Sequence, residues 1–220
     1  MFLHTAASGR PEFRSKGIDI TADTVCTDCN RHWMSDLEMR AAKSLKPMLQ
    51  GQPKALTIDQ QRFIARWAAK TAMTLDQSYP PNERIVPLDR CQWVRTHDYP
   101  PPGTSVRCGR YVGGGNFITM MHGYLFKPPV QDMASAGRPP DAYRLALRVD
   151  KLVLDVTFTQ GDNGDFLVSG GNIERALLRV WPSPTAGSWP PPLAFDEAAW
   201  QAFVRPDTPH GPARPVHGWP

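Results

Sequence analysis

The spacing of apolar and polar positions changes character once along this chain. In the first third, apolar residues recur at helical intervals. Leu37, Ala41, Leu45 and Met48 form one stripe, which predicts a helix from Ser35 to about Leu49. Ser35 and Glu38 have the Ser-x-x-Glu spacing of a capping box, flanked by Met34 and Met39 at the positions of a hydrophobic staple. Pro47 is expected to kink or end this helix near Leu45, and Gly51 suits the stop. A second helix is expected from Thr57, where Gln60 repeats the capping-box spacing. Ile64, Trp67, Ala68, Thr71 and Leu75 give it a buried face, and Tyr79-Pro80-Pro81-Asn82 ends it. Two amphipathic helices joined by a short turn read as a helical hairpin.

From Ile85 onward the period becomes two. Strands are expected at 92–96, 105–112, 116–124, 143–149, 152–159 and 176–181. Gly113-Gly114-Gly115 and Asp150-Lys151 read as hairpin turns. Residues 195–204 read as a short closing helix with Asp196 as its cap, and the proline-rich tail beyond Arg205 as poorly ordered. The opening residues 1–24 read as polar and irregular, with Ile18 and Ile20 alternating into Val25 as one short strand. The expected class is α+β: a knuckle and helical hairpin over 1–80, a mostly antiparallel sheet over 81–204, and a tail over 205–220.

A chain of 220 residues has room for a real core. Its formal charge of +4 is too small to argue for an anionic partner by itself. Proline is the compositional outlier, with 23 residues that cluster at 99–102, 127–140, 181–192 and 205–220 and punctuate the second half with turns and extended links. Four cysteines in this length are too few for a disulfide scaffold, which favours a reducing, cytoplasmic setting. The start shows no basic segment leading into an apolar run, and no apolar stretch reaches the length of a membrane span. A cytoplasmic protein with no membrane partner is the expectation. Nothing in the sequence sets an oligomeric state.

The chemistry gathers at Val25-Cys26-Thr27-Asp28-Cys29-Asn30, just ahead of the first helix. Cys26 and Cys29 have the two-residue gap that offers two thiolates to one metal ion, most often zinc, which takes four ligands in a structural site. Cys91 and Cys108, on expected strands, read as buried hydrophobes rather than as the missing ligands. A metal-free turn is the competing reading, and a redox reading is weaker because no βαβ pattern precedes the pair. His4, His32, His97, His122, His210 and His217 form no His-x-x-x-His or His-Glu motif. Neither a Gly-x-Ser-x-Gly elbow nor a phosphate-cradling glycine loop occurs. Arg31, Arg40, Lys43 and Lys46 lie on or beside the first helix, and Arg62, Arg66 and Lys70 recur at i, i+4 and i+8 on the second. Such a row can follow a phosphate backbone, although a solvated helix face is the commoner meaning. Trp181, Trp189 and Trp219, each beside proline, read as a packed strap in preference to partner anchors.

The segment from Val25 to Leu75 resembles the C-terminal half of an HNH-type nuclease module, in which a second Cys-x-x-Cys is followed at once by His or Asn and then by a helix. Cys26, Cys29 and Asn30 match those positions. The string Cys-Asn-x-x-Trp-Met-Ser-x-Leu-Glu, and later Ala65-Arg66-Trp67-Ala68-Ala69-Lys70-Thr71-Ala72-Met73, looks like a group of bacterial proteins of largely uncharacterised function, as do Trp181-Pro182 and Trp189-Pro190-Pro191. The resemblance implies a structural zinc ion held partly by Cys26 and Cys29, with a catalytic divalent ion only where the full module is present. The first cysteine pair and the acidic-His dipeptide of the family have no counterpart here, and Thr21 stands where its middle asparagine would be. Asn30 is the only family-matching catalytic position, and no general-base histidine is identifiable. The expectation is therefore a truncated or degenerate relative that retains at most nucleic-acid binding, DNA above all, through Arg31, Lys43, Arg62, Arg66 and Lys70. Residues 1–10 look like the middle of a longer reading frame. The alternative is a non-catalytic interaction module that acts through its sheet.

Overall fold

The computed structural model describes residues 2–6, 13–15, 26–77, 81, 84, 86–114, 118–125, 142–159, 175–183 and 185–204, with 2–6, 13–15 and 118–125 described by their backbone alone. The class is α+β. The first helical segment starts earlier than its sequence suggests. A turn of helix, α1 (Thr27–Cys29), runs through a π-turn at Asn30–Met34 into α2 (Ser35–Leu49) without leaving helical dihedrals. Ser35 lies inside this run and makes no cap, because the helix has already begun at Cys26. Glu38 is drawn instead to Lys70 across the hairpin. Pro47 does not end α2 near Leu45. So close to the C-terminus its missing N–H removes one ladder bond, and the helix runs on to Leu49. Gly51 follows just beyond, at a φ of +75° that favours glycine.

After the short strand β3 (Lys54–Leu56), α3 (Ile58–Gln77) starts on a reciprocal capping box. The Thr57 amide donates to Gln60 Oε1 at 3.0 Å, and the Gln60 amide donates to Thr57 Oγ1 at 3.2 Å. The stretch expected as a strand at 92–96 is helical instead, the end of α4 (Leu88–Thr96). Its Trp, Val and Thr content suggested a strand. Pro87 stands at the N-cap, and Asp89 in the first turn and Arg95 in the last turn complement a helix dipole and prevail.

The main sheet is formed by β1 (Phe2–Ala6), β2 (Phe13–Ser15), β4 (Thr104–Arg110), β5 (Ile118–Leu125), β6 (Ala142–Val149), β7 (Leu152–Thr159) and β8 (Leu178–Trp181). Their order is β2-β1-β5-β6-β7-β4-β8, antiparallel throughout except where β1 runs parallel to β5. The opening residues thus contribute two strands rather than an irregular start, while the strand expected over 18–25 falls outside the described residues. Asp150-Lys151 makes the expected tight turn between β6 and β7, with Asp150 at a φ of 52°. Gly113-Gly114-Gly115 is not a hairpin turn, because β4 pairs with β7 and β8 and leaves β5 to β1 and β6. Gly113 and Gly114 follow β4 on the way to a strand that is not its neighbour, and Gly115 lies outside the described residues. A two-stranded ribbon joins β3 to β9 (Gly187–Trp189).

One apolar core spans the boundary expected near residues 80–84. Ile64, Ala68, Ala72 and Met73 of α3 pack with Val106, Leu145, Leu154, Val156 and Val180 of the sheet. Trp189 is buried in this core, as the strap reading required, and Trp181 lies half-buried against it. On the opposite face of the sheet α5 (Glu197–Val204), capped by Asp196 through the Ala199 amide at 2.7 Å, buries Trp200 and Phe203. The tail from 205, including Trp219, lies outside the described residues.

Candidate functional site: a dithiol turn above a helical hairpin

Cys26 takes the N-cap position that serine or aspartate commonly fills. Its Sγ accepts the Cys29 amide at 3.1 Å, and its carbonyl accepts the Asn30 amide at 3.0 Å. Cys26 is exposed, Cys29 is half-buried, and both are free thiols. Hydrogen bonds from the Cys29 thiol and from its amide pull the Cys26 thiol below the ordinary cysteine value. Asn30 and His32 are exposed on the π-turn.

Behind Cys29 a largely apolar cavity of about 260 Å³ opens between the π-turn, α3 and α4. Trp33, Met34, Met73, Leu88 and Val94 give it its apolar wall, and Cys91 faces the same space as Cys29. Burial pushes the Cys91 thiol up to about 11, with the carboxylates of Asp76 and Asp89 acting in the same sense. Cys108 lies fully buried in the sheet, and burial raises its pKa strongly. Sequence spacing held no hint that Cys91 shares a cavity with Cys29. That neighbourhood exists only because 88–96 is a helix packed on α3.

The residues expected to contact nucleic acid separate into two groups. Arg66 and Lys70 are buried and held internally. The Arg66 guanidinium caps the C-terminal end of α4, with Nε donating to the Val94 carbonyl at 3.0 Å and Nη1 to Asp98 Oδ1 at 3.1 Å. Lys70 Nζ lies 2.6 Å from Glu38 Oε1 and ties α3 to α2. Every third or fourth residue of α3 faces a neighbouring element, and the long arginine and lysine stems bury while their charges find partners. Arg31 and Lys43 are exposed, and Arg62 is part-exposed with Asp59 3.6 Å away. Arg40 is also exposed, its guanidinium 5.7 Å from the centre of the Phe63 ring. The outward cations of the hairpin are thus Arg31, Arg40, Lys43, Lys46 and Arg62.

A structural zinc site requires four ligands. Among the described residues no three His, Cys, Asp or Glu side chains are placed to hold one ion together. Cys26 and Cys29 supply two thiols, and Cys91 and Cys108 do not complete the set, so the described residues do not fit a closed zinc centre. His97 stacks on Trp93 at a centroid distance of 3.8 Å, with Nδ1 beside Thr96 Oγ1 and the Trp93 carbonyl, which is a packing role. His4 and His122 lie in β1 and β5, and His210 and His217 lie outside the described residues.

The opposite face of the sheet holds a charged cluster that the sequence did not reveal. Arg107 meets Asp155 Oδ2 through Nε at 3.0 Å and Nη2 at 2.5 Å, and Arg144 Nε meets Asp155 Oδ1 at 2.6 Å. Burial alone would raise the Asp155 carboxyl, but the charges and hydrogen bonds of Arg144 and Arg107 hold it below the usual carboxylate value. Arg148 lies 4.0 Å from the centre of the Tyr111 ring and reaches Glu197 Oε2 at 3.1 Å. In the sequence these residues look like the solvent side of alternating strands. Long-range pairing with opposite charge is the missing information.

None of the described helices is long and apolar enough to cross a membrane. Comparison with protein-family models, curated proteins and solved structures found no match.

Proposed function

We propose that this chain is an HNH-nuclease-related protein that keeps the knuckle-and-helix half of the module and binds nucleic acid through its helical hairpin. The main support is the path of residues 26–49. The Cys-x-x-Cys turn caps a helix directly, Asn30 follows on its first exposed turn, and the helix packs against α3. A turn that passed into a strand or loop would have removed the resemblance. The outward cations Arg31, Arg40, Lys43, Lys46 and Arg62 offer contacts to phosphate, while Arg66 and Lys70 hold the hairpin in shape. Among the described residues His32 belongs to no group of three or more side chains that could hold a metal ion, so hydrolysis by these residues alone is not proposed.

The test is a titration of the full chain against duplex DNA at several salt concentrations. Binding should weaken with salt. Replacing Arg31, Lys43 and Arg62 together by glutamine should reduce the slope by about 0.9 for each phosphate that is no longer neutralised. Binding that is undetectable, or insensitive to salt, overturns the reading.

A further inference from the structure

The two thiols, for which the described residues supply no further zinc ligands, are arranged for different chemistry. We propose that Cys26 and Cys29 form a redox-active dithiol that reduces apolar disulfides seated in the adjoining cavity. Three observations support it. The nucleophile is accessible: Cys26 is exposed and lies at the start of a continuous helix whose first turn directs the Cys29 amide onto its sulfur at 3.1 Å. The second thiol lies one helical turn further on, half-buried, where it is shielded from outside reagents yet within reach of a sulfur bonded to Cys26. A cavity of about 260 Å³ adjoins that second thiol, its wall formed by Trp33, Met73, Leu88 and Val94, which suits an apolar group flanking a disulfide.

The step balances without an outside cofactor. The Cys26 thiolate attacks one sulfur of the substrate disulfide, an S–S bond breaks, and the leaving sulfur departs as a thiolate that takes up a proton. Cys29, losing its proton to solvent, then attacks the Cys26 sulfur of the mixed disulfide. The Cys26–Cys29 bond forms and the second substrate thiol is released. Two electrons pass from the dithiol to the substrate, and a dithiol reductant such as dithiothreitol restores the starting state. Cys91, on the far wall of the cavity, takes no part.

The activity goes beyond nucleic-acid binding and fails separately from it, because its test reads sulfur while the DNA titration reads cations. The full-length chain, treated with chelator, is mixed with one equivalent of the aromatic disulfide dithiobis(nitrobenzoate). The wild type should release both coloured halves. Cys29→Ser should release one and retain the other on Cys26, detected by mass, and Cys29→Ala should behave the same way, which guards against a variant that misfolds. Cys26→Ser should lose the fast phase. Dibenzyl disulfide, whose leaving thiol is an ordinary alkyl thiol like that of glutathione, should react about tenfold faster than oxidised glutathione, a preference of the size that a few buried carbons supply. Leu88→Ser, at an exposed position on the rim, should reduce that preference. Retention of a mixed disulfide by the wild type, or equal reactivity of Cys26 and Cys91, overturns the proposal. So does a stoichiometric zinc ion, released only by chelator, whose presence protects both thiols.

Discussion

The two faces of the central sheet are built from the same strands by opposite means. On one face Val106, Leu145, Leu154 and Val156 meet the helices α3 and α4 through apolar contact. On the other, the alternate residues Arg107, Arg144, Arg148 and Asp155 are just as buried, yet charged. The first face is covered by a hairpin with a long apolar stripe. The second meets, among the described residues, the eight-residue helix α5, whose Phe203 and Trp200 rings lie against the guanidinium groups of Arg144 and Arg148. Burial of a strand on both sides therefore does not imply an apolar run. Two arginines converging on one carboxylate satisfy the same geometry, provided that every charge finds its partner.

Disrupting each face in turn should expose this difference. The largest effect is expected for Asp155→Asn, which leaves Arg107 and Arg144 buried beside a neutral group. Chemical denaturation should show a loss of about 3–5 kcal/mol. A loss below about 1 kcal/mol would show that the charged face is solvated after all. Ile64→Ala on the apolar face should cost about 3 kcal/mol through lost transfer energy and the cavity left behind.

The faces should also differ in their response to acid. Asp155 is depressed in the folded chain, so its contribution is fully present above the ordinary carboxylate value of about 3.9. As pH falls through the lower folded value, that contribution is lost. Acid denaturation curves of the wild type should therefore steepen below about pH 4, and those of Asp155→Asn should be flatter there. Ile64→Ala should shift the whole curve without changing its shape. The smallest effect belongs to the helix start rather than to either face. Thr57→Ala removes one capping bond and should cost about 1 kcal/mol, read from the same denaturation experiment.

Much of the apolar face was legible in the sequence. The stripes of α2 and α3 and the capping box at Thr57 are local features, and local spacing places them. The turn at Asp150-Lys151 and the strands on either side of it are local in the same sense. The candidate site was legible only in part. Cys26 and Cys29 declare themselves by their gap, and their place at a turn into a helix follows from what comes next. Their shared space with Cys91 and the internal roles of Arg66 and Lys70 do not, since each depends on an element far away in the chain.

Residues a few positions apart were enough to specify the helical hairpin, the alternating strands β6 and β7 and the two-thiol turn. Packing between distant parts of the chain was needed to seat the helix 88–96 on α3, to bring β1 into the sheet beside β5, and to set Asp155 between two arginines. Those outcomes turn on which surfaces meet, and a buried charge or a weakly patterned segment takes its meaning from the neighbour across the core.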